Sequence, residues 1–391
     1  MENVVILSAK RTPVGSFQGN LAGVTATQLG SAAIQGALQA GNLNPSEIDE
    51  VFMGCVLPGG LGQAPARQAA LGAGLPQGVP CATINKVCGS GMKAVMIASD
   101  GIKAGSFETA IAGGMESMSN APYILPKVRS GYRMGHGSIF DHMLYDGLEN
   151  AYDHVSMGAF ADNTAEKFQF TRENQDSFSI ESGKRALKAV DEGQFDDEIV
   201  PVTVPNGKET LDVSKDEPPG RMKFEKIPTL KPAFSKDGTV TAANSSSISD
   251  GASALVLSSQ DWARNSGHVP MAKICGYVSF AQAPEWFTTA PIGAIQKLLT
   301  QVGWNLQDVD LFEINEAFAV VVLAAMKELN LSHNKVNVLG GACALGHPIG
   351  SSGSRLIVTL LHALKSRGLK RGIAALCIGG GEATAIAVEM I

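Results

Sequence analysis

Apolar residues alternate between strand-like and helix-like spacing over the first part of the chain. An uninterrupted apolar run predicts a buried strand at 4–8, and helical spacing predicts a helix over 25–40 that ends near Gly41. Further strands are predicted over 50–56 and 109–114, with a buried helix over 89–104 between them. Strands that alternate with helices indicate a largely parallel sheet covered on both faces.

The last third of the chain repeats this order. A helix is predicted over 352–366 and a buried strand over 372–378. The second strand runs into Gly379 to Glu382, much as the first unit runs into Gly113 to Glu116. Two copies of one α/β design with a site between them explain this repeat. The alternative is that unrelated α/β units look alike at this level of detail.

Between the two units, strand alternation fades and the composition becomes more polar. A charged amphipathic helix is predicted over 171–190 with Thr171 and Asn174 at its start, and 205–236 is a polar stretch with several prolines. Long irregular segments in compact proteins usually cover a site. We therefore expect an N-terminal half at 1–117, an inserted covering domain at 118–249 and a C-terminal half at 250–391.

Composition limits the classes of partner and compartment. The chain has 391 residues, is 45% hydrophobic and 17% charged, and carries a net charge of -6. These values are ordinary for a soluble enzyme and argue against a nucleic-acid partner, which requires a broad basic face. No apolar run is long enough to span a bilayer, so we expect no membrane partner. Six scattered cysteines without a CxxC pair favour a reducing cytoplasm and argue against structural zinc.

Cys88, His347 and Cys377 carry the candidate chemistry. Cys88 lies at a strand-to-helix turn, where a helix N-terminus lowers the pKa of a thiol and favours the nucleophilic thiolate. His347 lies in a Gly/Pro loop, and an imidazole that titrates near neutrality is a suitable general base. Cys377 ends a buried strand before three glycines, whose N–H groups could form an oxyanion hole.

Each of these residues also has a purely structural interpretation. Either cysteine could be a small buried core residue, and the histidine could bond loop carbonyls. Asn315 lies where a strand passes into an apolar helix, so it could cap that helix or hold a water or an oxyanion. His136, His142 and His154 lack the carboxylate spacing of a metal site, so we expect no metal.

Taken together, these segments resemble the thiolase family along nearly the whole chain. The matching segments are Ala9 to Gly15, Asn85 to Gly91, Gly113 to Ser119, Asn315 to Phe318, Gly346 to Gly350 and Leu376 to Gly381. The resemblance implies two similar stacked α/β halves in a five-layer αβαβα arrangement with an inserted loop domain. It also implies a dimer or, for short-chain members, a homotetramer formed through a loop near 121–136.

The resemblance implies reversible acyl transfer between CoA thioesters without a separate cofactor. Cys88 would attack an acyl-CoA while His347 takes its proton, and Cys377 would deprotonate a second acetyl-CoA. The carbanion would attack the acyl-enzyme, so that two acetyl-CoA give acetoacetyl-CoA and CoA. His347 with a water held by Asn315 would polarise one thioester oxygen. The backbone N–H groups of Cys88 and Gly379 would hold the other.

Substrate-binding positions follow from the same resemblance. Ser246 matches a serine of the family's pantetheine loop, and Phe234 matches a pocket residue. Leu148, Ala317 and Phe318 match positions of the CoA tunnel. Arg221 and Lys223 are candidate partners for the CoA phosphates, although a solvated basic loop is equally consistent with them. Met157 resembles the methionine that closes the acyl pocket of short-chain members.

Several departures leave the acyl-chain length open. Phe287 stands near a usual methionine and would narrow or redirect the pocket. Ser156 stands where histidine is common, and Gly381-Glu382-Ala383 replaces the commoner glycine, methionine and glycine. A 3-ketoacyl-CoA thiolase of broader chain length in fatty-acid or amino-acid degradation is therefore the alternative within the family.

Other classes of protein fit the residues less well. Related ketoacyl-ACP synthases lack a second catalytic cysteine, and a non-catalytic acyl-CoA-binding protein would have lost some of the three reactive side chains. A thiol peroxidase does not need a glycine-flanked histidine. A hydrolase with a nucleophile elbow would need a GxSxG motif, which the sequence lacks.

Overall fold

A computed structural model describes residues 3–391. Its strands, in chain order, are β1 (Val4–Arg11), β2 (Gly15–Ser16), β3 (Glu50–Gly54), β4 (Cys81–Ile84), β5 (Thr109–Ser117), β6 (Tyr123–Ile124), β7 (Phe140–Asp141), β8 (Val202–Asn206), β9 (Glu209–Val213), β10 (Ser249–Ser259), β11 (Ala272–Ala281), β12 (Leu311–Ile314), β13 (Arg371–Ile378) and β14 (Glu382–Met390). The α-helices are α1 (Ala26–Ala40), α2 (Pro65–Gly72), α3 (Ser90–Lys103), α4 (Met157–Phe168), α5 (Arg172–Asp191), α6 (Pro218–Arg221), α7 (Gln260–Asn265), α8 (Ala290–Val302), α9 (Ala319–Leu329), α10 (Ala342–Leu345) and α11 (Ile349–Arg367). Residues 1 and 2 of the expected N-terminal half lie outside the described residues.

The strands of the two halves pair into one continuous mixed sheet. The strand order is β12-β13-β14-β11-β1-β10-β5-β3-β4, and β2 pairs with β10. Among the strands of residues 3–391, only β3 with β4, β3 with β5, and β12 with β13 are parallel pairs. The expectation of a largely parallel sheet was therefore wrong, because β10 and β14 return antiparallel beside the strands of their own halves. The halves meet where β1 pairs with β11 over two residues.

Helices lie between the two halves and cover their outer faces. This is the expected arrangement of five layers. Helices α1 and α2 pack on the outer face of β1, β3, β4, β5 and β10, and α8 packs on the outer face of β11, β13 and β14. Helices α3 and α11 lie between the halves and contact strands of both. Fifteen of the residues of α11 are buried, because a helix packed on every side must be apolar or small all round.

One expected domain boundary separates residues that the sheet joins. β10 is buried along its whole length and lies between β1 and β5, so it belongs by pairing to the first half. The boundary at 249 and 250 therefore cuts this half, since an apolar strand of this kind is stable only between partners. The rest of the three-part division stays a prediction.

The segment between β5 and β10 is more regular than its composition indicated. The helix expected over 171–190 is confirmed as α5, with a capping box between Thr171 and Asn174. In the polar stretch, β8 and β9 form a hairpin, and the two prolines at the start of α6 are buried. The buried side chain of Arg11 anchors the segment to β1, 2.5 Å from Glu198 and 2.7 Å from Asp216. In residues 3–391 we find no helix with the length and apolar character needed to cross a membrane.

Candidate active site

Cys88 lies in a strained turn between β4 and α3. The side-chain oxygen of Asn85 accepts a hydrogen bond from the Val87 N–H at 2.9 Å, and Ser90 Oγ donates to the Val87 carbonyl at 2.6 Å. Val87 has a φ of 45°, which is unusual for a β-branched residue. Such backbone strain costs roughly 1–3 kcal/mol and persists only where the surroundings enforce it. The turn directs the half-buried Cys88 side chain into a cavity.

The Cys88 thiol has a high pKa in the empty site. Burial raises this pKa to about 11, whereas hydrogen bonds from the backbone N–H groups of Gly379 and Cys88 to the sulfur lower it. The expected lowering at a helix N-terminus is outweighed because α3 begins only at Ser90 and the sulfur has lost most of its water. Cys88 is therefore a neutral thiol at neutral pH in the empty site. These are the two N–H groups that the resemblance to the thiolase family implied for an oxyanion hole. In the empty site both of them bond the Cys88 sulfur.

His347 is fixed by hydrogen bonds on both ring nitrogens. Nδ1 lies 2.5 Å from Ser352 Oγ, and that hydroxyl donates to the Pro348 carbonyl at 3.0 Å. The hydroxyl must therefore accept from Nδ1–H, which assigns the proton to Nδ1 and leaves Nε2 as a proton acceptor. Nε2 lies 3.4 Å from the amide nitrogen of Asn315.

The imidazole of His347 is neutral at ordinary pH. Burial, followed by the positive charge of Arg355, lowers the pKa of His347 to about 3 rather than leaving it near neutrality. His347 and Cys88 line the same cavity and are both neutral, so they do not form a stable ion pair in the empty site. In the empty site the proton therefore stays on the Cys88 sulfur at neutral pH.

Asn315 follows β12 and is fully buried. Its N–H donates to the Ala375 carbonyl at 3.0 Å, which sets it beside the strand that carries Cys377. Its side-chain oxygen has no hydrogen-bond partner among residues 3–391. The helix-capping interpretation was wrong, since Phe318 is the N-cap of α9. A buried unpaired amide oxygen indicates a site for a bound water or ligand.

Cys377 lies near the end of β13 and is buried among aromatic and aliphatic side chains. Burial raises the pKa of Cys377 well above the usual value, and interaction with Cys88 raises it further. Cys88 is therefore close enough to affect the ionisation of Cys377. Unlike Cys88, Cys377 does not line the cavity wall.

One apolar cavity of about 410 Å³ joins most of the predicted site residues. Those that line it are Cys88, Leu148, Met157, Phe234, Ser246, Phe287, Ala317, Phe318, His347 and Gly379. Cys377 and Asn315 lie behind this wall. Arg221 and Lys223 line a neighbouring cavity of about 560 Å³ that shares Ala242, Ser247 and Ile248 with the first. The two cavities are therefore adjacent along one wall. We term the first the inner cavity and the second the outer cavity; lysine and arginine side chains line the outer cavity and not the inner one.

Aromatic rings shape the inner cavity. Phe318 meets Phe234 edge to face at a ring-centroid distance of 5.9 Å and meets Phe287 at 6.3 Å. Gly158 allows this arrangement, because a Cβ there would overlap the Phe234 ring. Phe287 is buried, lines the cavity and belongs to the same apolar cluster as Cys377. The cavity therefore has an apolar end next to the two thiols.

Two buried residues near the site were missed by the sequence analysis. Ser352 orients His347. Its position in the second turn of α11 is the signal in the sequence that could have identified it. Glu116 accepts hydrogen bonds from the N–H groups of Val56, Leu57 and Gly350 at 3.0, 3.1 and 2.9 Å. Burial raises the pKa of Glu116 to about 7. A carboxylate at the end of an otherwise apolar strand was the signal for this residue.

The histidines that were considered as metal ligands make contacts with different partners. His142 bonds Asp146 at 2.6 Å, and His154 stacks on Tyr145. In the part of the chain from 3 to 391, no group of three or more His, Cys, Asp or Glu side chains is arranged to hold a metal ion.

Comparison with known proteins places the chain in one family. The family model described as "Thiolase, N-terminal domain" matches residues 4–261, and "Thiolase, C-terminal domain" matches residues 268–390. A probable acetyl-CoA acetyltransferase of Dictyostelium discoideum is 50% identical over 100% of this chain and 95% of its own length. The acetyl-CoA acetyltransferase of Escherichia coli (strain K12) is 48% identical over 100% of both chains.

A solved structure agrees with these sequence matches. The crystal structure of the Bacillus anthracis acetyl-CoA acetyltransferase superposes with a TM-score of 0.97 at 45% identity, over 100% of this chain and 99% of that one. Both family models and the full-length relatives thus agree with the fold. This chain belongs to the thiolase family.

Proposed function

We propose that the chain catalyses the reversible condensation of two acetyl-CoA to acetoacetyl-CoA and CoA. The observation that carries this proposal is the pair of thiols at one cavity end, of which one is accessible and the other buried. A single nucleophilic cysteine would suffice for acyl transfer alone. The second, close to the first, supplies the base that carbon–carbon bond formation requires.

In the first half-reaction, Cys88 attacks the thioester carbonyl of acetyl-CoA while its proton passes to Nε2 of His347. The N–H groups of Cys88 and Gly379, which bond the sulfur in the empty site, hold the oxyanion. The carbon–sulfur bond to CoA then breaks, and the departing CoA thiolate takes the proton of Cys377. This leaves acetyl-Cys88, free CoA, a Cys377 thiolate and protonated His347.

In the second half-reaction, the Cys377 thiolate removes a proton from the methyl group of a second acetyl-CoA. Its thioester oxygen lies between His347 and a water bound to the unpaired oxygen of Asn315. The carbanion attacks the acetyl group, and the Cys88–carbon bond breaks to release acetoacetyl-CoA. The Cys88 thiolate recovers its proton from His347, so all groups return to their starting state.

Binding of CoA follows the two adjacent cavities. The pantetheine arm lies in the inner cavity along Ser246 and Phe318, and the nucleotide phosphates lie in the outer cavity near Arg221 and Lys223. Arg221 also pairs with Glu217 and is largely exposed, so its contribution to affinity is small. The enclosing Phe287 and Met157 favour a short acyl chain over the broader thiolase alternative.

The assembly and compartment belong to the same proposal. Several apolar side chains within residues 123–139 are exposed to solvent. Tyr123 is 68% exposed and Met134 is 96% exposed. Such a patch favours a homotetramer through this loop. The six cysteines are free, which favours a reducing compartment such as the cytoplasm. Size-exclusion chromatography with light scattering tests the tetramer, and fractionation of the source cells tests the compartment.

Thiolysis of acetoacetyl-CoA by CoA, followed as loss of enolate absorbance, tests the reaction. Condensation is followed as release of free CoA from acetyl-CoA. The wild type should catalyse both, Cys88→Ala neither, and the control Cys275→Ala should behave as the wild type because Cys275 lies on β11 outside the cavity. Binding of CoA without turnover by the wild type would instead support the non-catalytic acyl-CoA-binding protein.

A further inference from the structure

Two turns from opposite halves of the protein face each other beside the cavity. The first, 85–89, connects β4 to α3 and is termed the Cys88 turn. The second, 379–381, connects β13 to β14 and is termed the glycine turn. Their separation sets the distance between the sulfur of Cys88 and the N–H of Gly379. Whatever holds the turns together therefore sets the geometry of the proposed oxyanion hole.

The inner part of this contact is packed without charge. Val87 Cγ1 lies 3.6 Å from the position that a Cβ on Gly379 would take. A Cβ on Gly89 would overlap the side chain of Ile378, which precedes the glycine turn. The two turns are thus in apolar side-chain contact at these positions. Packing alone resists compression of the turns, but it does little against their separation.

The outer end of the contact is an ion pair between Lys86 and Glu382. Lys86 precedes the strained Val87, and Glu382 is the first residue of β14 after the glycine turn. The side chains are 20% and 35% exposed, so water screens the pair only partly. Neither residue lines the inner or the outer cavity.

We propose that Lys86 and Glu382 are positioning residues whose ion pair holds the two turns together across the halves. This inference rests on the proposed function. Asn85 and Ser90 restrain the Cys88 turn from within its own half, and Glu382 restrains it from the other half through its ion pair with Lys86. Loss of the pair lets the turns separate, so the Gly379 N–H moves away from the developing oxyanion.

The test measures acetylation of Cys88 in a single turnover with acetyl-CoA. The variants are Lys86→Met, Glu382→Gln, both together, and the reciprocal exchange Lys86→Glu with Glu382→Lys. We expect each single variant to lower the acetylation rate about tenfold with KM for acetyl-CoA nearly unchanged, because a displaced donor weakens only the transition state. The double variant should be no slower than either single one, and the reciprocal exchange should recover most of the rate.

The matched control is a second ion pair on the same strand. Lys273 and Glu389 pair at the opposite end of β14, seven residues or roughly 23 Å from Glu382. Lys273→Met and Glu389→Gln should leave acetylation at the wild-type rate. Thermal unfolding of every variant separates a local change from a general loss of stability.

Three results would overturn the inference. In the first, the acetylation rate of the double variant falls by the product of the two single losses. In the second, only KM changes. In the third, the control pair also loses acetylation rate, and in all variants the loss follows the fall in melting temperature. Failure of the proposed function gives a different result, because the wild type itself would then not be acetylated on Cys88.

Discussion

The two cysteines beside the cavity differ in almost every property except residue type. Cys88 ends a strained turn, lines the cavity and bonds two backbone N–H groups. Cys377 lies in a regular strand, is 1% exposed and is surrounded by apolar side chains. Burial raises both pKa values, and interaction with Cys88 adds to the rise for Cys377. A thiol on a turn can reach a carbonyl carbon, whereas a thiol fixed in a strand can only exchange a proton with a group brought to it.

This difference assigns different steps to the two residues. Neither thiol is ionised in the empty protein at neutral pH. In the proposed mechanism each is deprotonated within the reaction, Cys88 by His347 and Cys377 by the departing CoA. The predictions below test this division of roles, from the largest expected effect to the smallest.

Cys377→Ala should separate the half-reactions. Loss of the base should lower the rate of condensation by about 10³-fold or more, since positioned proton transfer contributes about that factor. Acetylation of Cys88 in a single turnover should persist at a reduced rate. Rapid-quench mass measurement of the acetyl-enzyme checks this, with Cys343→Ala, buried within α10, as the control. Complete loss of acetylation would mean that the two thiols act as one unit.

His347→Asn should slow the first step itself. Removal of the proton acceptor should lower the acetylation rate of Cys88 by about 10²-fold or more. The exposed His136 lies outside both cavities, so His136→Asn should retain full activity. Stopped-flow release of CoA measures the step. An unchanged rate would show that another group accepts the proton.

Alkylation of the free enzyme should distinguish the thiols directly. Because the pKa of Cys88 is raised to about 11, its thiolate fraction should rise about tenfold per pH unit from pH 7 to 10. The rate of reaction with iodoacetamide should follow this rise without levelling off near pH 8.5. Cys377 should stay unmodified in the folded protein. Peptide mapping after timed alkylation checks both, and a plateau below pH 8 would contradict the high pKa.

Phe287→Ala should change the choice of acyl chain more than the chemistry. The ring closes the apolar end of the cavity beside Cys377, so its loss should admit longer chains. We expect the preference for acetoacetyl-CoA over 3-ketohexanoyl-CoA, as a ratio of kcat/KM, to fall about tenfold or more. The new cavity should also lower the free energy of unfolding by about 3–5 kcal/mol. Phe287→Leu is the milder companion variant, and an unchanged ratio would place the limit elsewhere.

The regular elements were the most predictable part of the fold. The helices α1 and α5 were predicted within a residue or two because Thr25 and Thr171 cap them with side-chain bonds that depend only on local sequence. The antiparallel return of β10 and β14 was not predicted, since pairing partners lie far apart in the chain. The hairpin β8–β9 was hidden in a polar stretch, because its hydrogen bonds are made by the backbone.

The candidate site shows a similar division. Cys88, His347 and Cys377 were singled out because their neighbours are glycines and prolines at predicted turns, and the resemblance to the family assembled them. Their pKa values were not predictable, since burial and the distant charge of Arg355 arise only on folding. The same holds for Lys86 and Glu382, which are 296 residues apart in the chain.

The most direct test of the account is the site of acetylation in the wild type. The protein is mixed with acetyl-CoA, quenched in acid, digested and mapped by mass spectrometry. The account predicts one acetyl group on Cys88, removed by added CoA, and no acetyl group in Cys88→Ala. An acetyl group on Cys377 would contradict the assigned division between the accessible and the buried thiol.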